Sequence, residues 1–276
     1  MSVFKPELIA VDMDGTLLNG SGAITERTIS ALKDAMSEGI KVVIATGRMY
    51  PSALPFILDI GTETPCIFYN GAIIRNPVTG VLVYDKPIGI ELTSEVMDFY
   101  HKNGWYIQIY SNDKLYVFDN NDQRCRMYES IARIRAVPLG EKFWDFHVES
   151  TKLLGIAESR ENFEKMELMT RAEFGSKLYT ATSWGAFVEM AHPDVNKANG
   201  VSFVADKIGV NRENILAIGD SGNDREMIAW AGLGVAMGNA PDFVKAAADE
   251  IAPDNEHDGV AVIVEKYLRR KKVNKT

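Results

Sequence analysis

Runs of mostly apolar residues, each followed by polar residues, recur in the first part of the chain. The clearest are Leu8–Val11, residues 41–45 and residues 66–69, and runs of this kind predict buried β-strands. Between the first two, Thr25 is expected to cap a helix that Gly39 ends. This alternation of strand and helix predicts parallel strands with right-handed crossovers, the organisation of an α/β protein.

The same pattern resumes after residue 190, whereas the segment between differs. A helix is predicted over residues 198–208 and a buried strand over residues 215–218. From residue 86 to residue 190, helices alternate with short, aromatic, partly alternating strands, which are typical of an antiparallel sheet with one exposed face. The predicted helices of this segment lie at residues 91–103, 123–135 and 160–174. The predicted strands lie at residues 105–110, 114–118, 152–157, 177–182 and 186–190.

The change of pattern predicts two domains. We expect an α/β core made of residues 1–85 and 191–276, and an α+β domain of residues 86–190 inserted into it. The 276 residues, of which 46% are hydrophobic and 25% charged, are enough for one large or two medium domains. Trp184, in a predicted hairpin turn of the inserted domain, is a candidate for a residue that faces a substrate.

Charge and cysteine usage exclude some functions. A net charge of −8 disfavours nucleic acid as the main partner, since phosphate backbones require a basic surface. Cys66 and Cys125 are far apart and fit no metal-binding spacing, which favours a reducing, cytoplasmic setting. We find no signal peptide and no segment suited to crossing a membrane, so we expect no membrane partner.

Two carboxylates, Asp12 and Asp14, follow the first predicted strand directly, and Gly15 comes next. In open parallel sheets, ligands bind at this edge. A solvated Asp-Gly turn is the simpler interpretation of these residues alone. The two acids repel each other unless a cation lies between them or one acid holds a proton. The other parts of a site must therefore come from other strand ends.

Polar clusters follow two other predicted strands and converge with the first if the strands share a sheet edge. The residues of these clusters that could bind a ligand are Thr46 and Gly47 in one cluster, and Asp220, Ser221, Asn223 and Asp224 in the other. The carboxylates are hard oxygen ligands suited to Mg²⁺. Thr46, Lys197 and Asn223 offer donors to phosphate oxygens. Alone, Thr46 could cap a strand and Lys197 could be a solvated helix start; together, they are the parts that phosphoryl transfer needs.

Four segments resemble, in sequence and order, the motifs of the haloacid dehalogenase superfamily of phosphatases: residues 12–18, residues 46–48, Lys197 and residues 219–224. The place of the insertion, between the second and third motifs, resembles the Cof-type branch of sugar phosphatases, and so do residues 69–72 and 258–261. The resemblance covers essentially the whole chain. It implies a Rossmann-like parallel-sheet core with an inserted α+β cap that closes over the site.

The resemblance also implies roles for individual residues. Asp12 is expected to be the nucleophile that forms an aspartyl-phosphate, and Asp14 the general acid and then the general base. Mg²⁺ would be held by the Asp12 carboxylate, the Asp14 backbone carbonyl and Asp220, with Ser221 or Asp224 assisting through water. The implied phosphate-binding groups are the backbone N–H of Met13, Thr46, the backbone N–H of Gly47, Lys197 and Asn223.

We therefore predict a cytoplasmic, Mg²⁺-dependent phosphatase that acts on small phosphorylated metabolites, with sugar phosphates as the favoured class. We expect it to be a monomer or a weak homo-oligomer. One alternative is a phosphotransferase or mutase on the same scaffold, which would exclude water from the aspartyl-phosphate. The other is a non-catalytic sensor of a phosphorylated metabolite, against which the intact Asp12 and Asp14 argue.

Overall fold

The computed structural model describes residues 4–183 and 186–273, so Trp184 lies outside the described residues. The described residues form two compact units. The first unit contains residues 4–47, 53–84 and 196–273, and the second contains residues 48–52, 85–183 and 186–195.

The strands of the described residues are numbered in chain order. They are β1 (Leu8–Val11), β2 (Lys41–Ile44), β3 (Cys66–Phe68), β4 (Ile73–Arg75), β5 (Leu82–Asp85), β6 (Ile107–Ser111), β7 (Lys114–Val117), β8 (Ala136–Pro138), β9 (Lys152–Ile156), β10 (Tyr179–Ser183), β11 (Phe187–Ala191), β12 (Ile215–Gly219), β13 (Leu233–Ala236) and β14 (Glu250–Ile251).

The α-helices of the same residues are numbered likewise. They are α1 (Glu26–Ser37), α2 (Tyr50–Ile60), α3 (Ile90–Lys102), α4 (Gln123–Ala132), α5 (Arg160–Phe174), α6 (Lys197–Ile208), α7 (Arg225–Trp230), α8 (Asp242–Lys245) and α9 (Gly259–Val273). None of them is both long enough and apolar enough to cross a membrane.

A parallel sheet forms the centre of the first unit, with the strand order β14-β13-β12-β1-β2. β1 lies between β12 and β2, and Val11 at its end pairs with Ile218 and Ile44. The apolar residues of these strands pack against α6, whose Val201 and Val204 are buried. The predicted α/β class with a parallel-sheet core is confirmed, and the arrangement brings the ends of β1, β2 and β12 to one edge.

Helix ends in this unit follow the capping residues in the sequence. The Thr25 side chain accepts a hydrogen bond from the backbone N–H of Thr28, which fixes the start of α1 as predicted. The Asn196 side chain likewise accepts from the backbone N–H of Asn199, so α6 begins at Lys197. Lys197 thus belongs to the first helical turn, next to the sheet edge.

Residues 66–85 form a separate three-stranded sheet with the order β3-β4-β5. The strand–helix alternation predicted a third strand parallel to the second, and a parallel bridge between Ala45, just after β2, and Ile67 in β3 agrees with this. On its other side, β3 pairs with β4 in antiparallel fashion. The connection from β3 to β4 is too short for a crossover, so this pair is antiparallel.

The second unit contains a six-stranded sheet with the order β10-β11-β9-β6-β7-β8. Most neighbouring strands are antiparallel, as predicted, whereas β7 and β8 are parallel. A core of apolar side chains from α3, α5, one face of the sheet and the turn after β8 holds the unit together. It includes Tyr100, Leu153 and, from that turn, Phe143.

The prediction for α4 was wrong at its end. The helix was expected to reach Arg135 but ends at Ala132, because Arg133 adopts a left-handed backbone with φ of 54°. Ala136 then starts the short strand β8, which the sequence pattern did not reveal. The short strand β14 was missed in the same way, since two residues carry no periodicity.

Candidate active site

Asp12 is the first residue after β1 and lies where the carboxyl ends of the parallel strands meet. Its backbone N–H donates to the carbonyl of Ile218 at 2.9 Å, which continues the pairing of β1 with β12. The Asp12 side chain is buried, with 4% of its surface exposed. A charged group at this position needs a partner, because burial without compensation is unfavourable for a carboxylate.

Lys197 is that partner. Its Nζ donates to Oδ1 of Asp12 at 2.5 Å and to Oδ1 of Asp224 at 2.6 Å. Lys197 is fully buried, as is Asp224. Burial lowers the pKa of Lys197, but the charges of Asp12 and Asp224 outweigh it and raise the pKa above its usual value. Lys197 therefore remains an ammonium ion at neutral pH.

Both carboxylate oxygens of Asp224 accept hydrogen bonds. Oδ1 accepts from Lys197, and Oδ2 accepts from the backbone N–H groups of Asp220 and Ser221 at 3.1 and 2.9 Å. The Ser221 hydroxyl oxygen lies 3.3 Å from the same Oδ2. Asp224 thus holds the loop after β12 and aims Lys197 at Asp12.

Asp220 comes directly after β12, and its two carboxylate oxygens also have neighbours. Its Oδ1 accepts from the Thr16 hydroxyl at 2.9 Å, and its Oδ2 accepts from Nδ2 of Asn239 at 3.4 Å. Gly15, with φ of 81°, lies directly against it. A Cβ at Gly15 would be 2.4 Å from Oδ2 of Asp220, so glycine is needed for both the backbone conformation and the close approach.

The donor set fits a hard divalent cation. One carboxylate oxygen from each of Asp12, Asp220 and Asp224 lies within 4.8 Å of the other two. Oδ2 of Asp12 is buried and accepts no hydrogen bond from the described residues. A buried anionic oxygen without a donor, beside a second carboxylate, is the arrangement that Mg²⁺ binding would satisfy.

The pKa values of Asp12 and Asp220 reflect their burial and the closeness of the carboxylates. Burial, together with the nearby charge of Asp224, raises the pKa of Asp12 well above its usual range, although Lys197 opposes the shift. Burial and the charge of Asp224 likewise raise the pKa of Asp220 to about 6. A divalent cation would reverse both effects by stabilising the ionised carboxylates.

The end of β2 supplies the next group of predicted residues. Thr46 is fully buried, and its backbone N–H donates to the carbonyl of Ile67 at 2.9 Å. Gly47 follows, and Asn70 packs against it: a Cβ at Gly47 would be 3.0 Å from Oδ1 of Asn70. Nδ2 of Asn223 donates to the same Oδ1 at 2.9 Å. The structure therefore connects Thr46 and Gly47 with Asn223 through Asn70.

Met13 and Asp14 lie between Asp12 and Gly15. The Met13 side chain is fully buried, so only its backbone can face a ligand. The Asp14 side chain is exposed, in contrast to Asp12. Its carboxylate is not among the three that approach one another at the site. Two carboxylates one residue apart thus have different environments, as different roles in proton transfer require.

Two residues of the site were missed by the sequence analysis as functional groups. Asn239 donates from Nδ2 to the backbone carbonyl of Gly15 at 2.9 Å and contacts Asp220. Asn70 joins the segment of Thr46 and Gly47 to Asn223, as described above. Each follows the end of a strand, β13 or β3, so a search of every strand end for amide side chains would have found them.

Comparison with known proteins identifies the family. The model of the haloacid dehalogenase-like hydrolases matches residues 9–264. The chain belongs to this family. The resemblance recognised in the sequence is thereby confirmed.

Relatives of this hydrolase with similar length are phosphatases by name. YcsE and YitU of Bacillus subtilis (strain 168), both named 5-amino-6-(5-phospho-D-ribitylamino)uracil phosphatase, are 30% and 29% identical to it. The alignments cover 95% and 96% of this chain, and 96% and 98% of the relatives. The prediction that this hydrolase is a phosphatase of the haloacid dehalogenase type is confirmed.

A solved structure shares the fold along the whole hydrolase. A haloacid dehalogenase-like hydrolase from Bacteroides thetaiotaomicron superimposes with a TM-score of 0.87 at 28% identity. The match covers 95% of this chain and 99% of the other.

Proposed function

We propose that this hydrolase is a Mg²⁺-dependent phosphomonoesterase that acts on small phosphorylated metabolites through an aspartyl-phosphate on Asp12. Sugar phosphates are the favoured substrate class. The names of YcsE and YitU specify one small phosphorylated metabolite, which supports the proposal that the substrate is small. We further propose that residues 1–85 and 191–276 are the catalytic core, that residues 86–190 are the inserted cap, and that the protein is cytoplasmic.

The observation that carries the proposal is the buried Asp12, which contacts Lys197 and lies in a carboxylate cluster with Asp220. The Lys197 ammonium favours the ionised form of Asp12 by direct contact at 2.5 Å, against the effect of burial. The other oxygen of Asp12, Oδ2, accepts no hydrogen bond from the part of the chain that the structure describes. An ionised carboxylate at the end of a strand, next to fixed positive charge, is suited to attack an electrophilic phosphorus.

The family resemblance supplies the ligand set that we propose, and two of its members, Asp12 and Asp220, lie in the carboxylate cluster. Asp12, the backbone carbonyl of Asp14 and Asp220 would hold Mg²⁺, with Ser221 or Asp224 assisting through water. When bound, Mg²⁺ would neutralise charge on the phosphoryl oxygens and on the carboxylates. Asp224, whose two oxygens already accept hydrogen bonds, would act mainly by holding Lys197.

In the first step, an oxygen of Asp12 forms a bond to phosphorus while the ester P–O bond breaks. Asp14 gives its proton to the leaving oxygen, so the alcohol leaves neutral. Lys197, Thr46 and Asn223, with backbone N–H groups of Met13 and Gly47, hold the phosphoryl oxygens. Fixed donors of this kind stabilise the charge that develops as the phosphoryl group moves.

In the second step, water replaces the alcohol. Asp14, now ionised, takes a proton from water as the oxygen attacks phosphorus, and the bond between phosphorus and Asp12 breaks. Inorganic phosphate is released and Asp12 returns to its starting state. Asp14 ends the second step protonated, which is the form that the next first step requires.

A phosphate-release screen tests the proposal. The purified chain is assayed against phosphorylated sugars, nucleotides and pyridoxal phosphate, with Mg²⁺ and with a chelator. We expect Mg²⁺-dependent release, highest for sugar phosphates, and none from Asp12→Asn. Transfer of phosphate to an added acceptor sugar, without free phosphate, would instead identify a phosphotransferase. No release from any substrate would contradict the proposal.

A further inference from the structure

The turn after β3 has an unusual backbone at two successive residues. Tyr69 and Asn70 have φ angles of 51° and 58°, in the left-handed region that side chains other than glycine rarely adopt. Tyr69 is buried, and 6% of Asn70 is exposed. Such backbones persist only where the surroundings hold them, and they are common at functional sites. The turn therefore needs an explanation beyond the path of the chain.

The main chain of the turn is tied to the end of β2. The backbone N–H of Asn70 donates to the carbonyl of Thr46 at 3.0 Å. The backbone N–H of Thr46 donates to Ile67 in return. These two bonds fix the segment that carries Thr46 and Gly47 relative to β3.

The side chain of Asn70 extends the connection to the loop after β12. Its Oδ1 accepts from Nδ2 of Asn223 at 2.9 Å, across 153 positions of sequence. The other end of the Asn223 amide is also engaged, because its Oδ1 accepts from the Ser221 hydroxyl at 2.6 Å. Asn223 is thus held at both ends, with its oxygen towards Ser221 and its nitrogen towards Asn70.

This arrangement determines which atoms Asn223 presents to an anion. An amide nitrogen carries two protons, and Asn70 uses one of them, which leaves the second for a phosphoryl oxygen. If the amide turned over, its oxygen would replace that donor and repel the phosphate. Asn70 is the acceptor that prevents this, and Ser221 is the donor that complements it.

We propose that Asn70 is a positioning residue for phosphoryl binding. Its carboxamide orients Asn223, and its backbone holds the Thr46–Gly47 segment, so that donors from two distant segments meet one phosphoryl group. The inference rests on the proposed function, because Asn223 and Thr46 matter in this way only if they bind phosphate. It adds a residue that acts through others and forms no bond to the reacting atoms.

Asn70→Gly removes the carboxamide while permitting the left-handed backbone, since glycine adopts positive φ readily. The matched control is Asn112→Gly, because Asn112 is also a left-handed asparagine, with φ of 51°, in the turn between β6 and β7 of the second unit. Thermal unfolding of both variants shows how far the substitution changes the stability of the fold. Measurements of catalysis and phosphate binding then show whether loss of the Asn70 carboxamide affects the site.

We expect Asn70→Gly to lower kcat/KM for p-nitrophenyl phosphate about tenfold, as the loss of one orienting hydrogen bond predicts. Inhibition by inorganic phosphate should weaken by a similar factor, and Asn112→Gly should leave both values unchanged. The decisive comparison adds Asn223→Ala. Because Asn70 acts through Asn223, the two losses should not add. The kcat/KM of the double variant should be within about twofold of that of Asn223→Ala alone.

Two results would overturn the inference. One is a folded Asn70→Gly variant with kcat/KM and phosphate inhibition equal to those of the unsubstituted protein. The other is a double variant in which the two losses multiply, which would show that Asn70 acts independently of Asn223. If the unsubstituted protein released no phosphate, the proposed function would fail separately, and the same cycle measured by calorimetric titration with inorganic phosphate would still decide the role of Asn70.

Discussion

Nζ of Lys197 lies 2.5 Å from Oδ1 of Asp12, although the two residues are 185 positions apart in sequence. Lys197 comes from the first turn of α6, and Asp12 from the end of β1. Both side chains are buried, so their charges interact where water screens them little. The pair links the stability of the site to its chemistry.

Lys197→Met should therefore affect both properties. Methionine fills similar space but leaves two buried carboxylates without their cation, which should lower the free energy of unfolding by about 3 kcal/mol. Activity should fall about 100-fold or more, because a fixed donor to the phosphoryl group is lost. Urea unfolding and phosphate release measure the two effects.

The control for this variant is Lys266→Met. Lys266 is paired with Glu250 at 2.7 Å but is partly exposed and lies outside the site. The Lys266→Met variant should lose less than about 1 kcal/mol of unfolding free energy, as expected of a surface ion pair, and should retain full activity. Equal activity of Lys197→Met and the unsubstituted protein would contradict the account of Lys197.

Asp14→Asn tests the division of labour between the two acids after β1. We expect kcat for sugar phosphates to fall between about 100-fold and 10,000-fold, the usual range for loss of a general acid. The loss should be smaller for p-nitrophenyl phosphate, whose leaving group needs no proton. A loss of the same size for both substrates would argue against Asp14 as the acid, and stability should change little because the side chain is exposed.

The raised pKa of Asp220 predicts a pH dependence of stability in the metal-free protein. Its pKa is about 6 in the folded chain, against 3.8 for an ordinary aspartate, so the folded state binds the proton more tightly. Its contribution to the unfolding free energy should then fall as pH rises between these two values. Mg²⁺ competes with that proton, so the rise in melting temperature on adding Mg²⁺ should grow over the same interval. Differential scanning calorimetry with and without Mg²⁺ measures this. Asp220→Asn should reduce the pH dependence of the Mg²⁺ effect, to which Asp12, whose pKa is also raised, still contributes.

Gly15→Ala tests the contact between the turn after β1 and Asp220. Gly15 and Gly39 have similar φ angles, 81° and 84°, but a Cβ at Gly39 would meet nothing within 4 Å. Gly15→Ala and the control Gly39→Ala should each lower the free energy of unfolding by about 1 kcal/mol, because alanine disfavours the left-handed backbone. Only Gly15→Ala should also displace the Asp220 carboxylate and weaken Mg²⁺ binding, which titration calorimetry would detect. Unchanged Mg²⁺ affinity in that variant would count against Asp220 as a metal ligand.

The sequence predicted those parts of the fold that depend on local pattern. The apolar run of β1, the Thr25 cap and the helix α5 were all located from spacing and residue type. The end of α4 was not, because nothing in Arg133 signals a left-handed backbone. Such conformations are imposed by tertiary structure, which a single sequence does not display.

The candidate site divides in the same way. Asp12, Asp14 and Asp220 were recognisable because each follows an apolar strand closely. The bond between Asn70 and Asn223, and that between Asn239 and Gly15, join residues 153 and 224 positions apart. Only the folded chain brings them together. The roles assigned to these residues remain predictions that the experiments above test.

The most direct test of the central claim is to trap the phosphoryl group on the enzyme. The chain is mixed with radiolabelled substrate and Mg²⁺, quenched in acid within the first turnover, digested and sequenced by mass spectrometry. The account predicts an acid-stable label, removed by hydroxylamine, on the peptide that contains Asp12, and no label in Asp12→Asn. Turnover without a labelled enzyme, or a label on another residue, would contradict it.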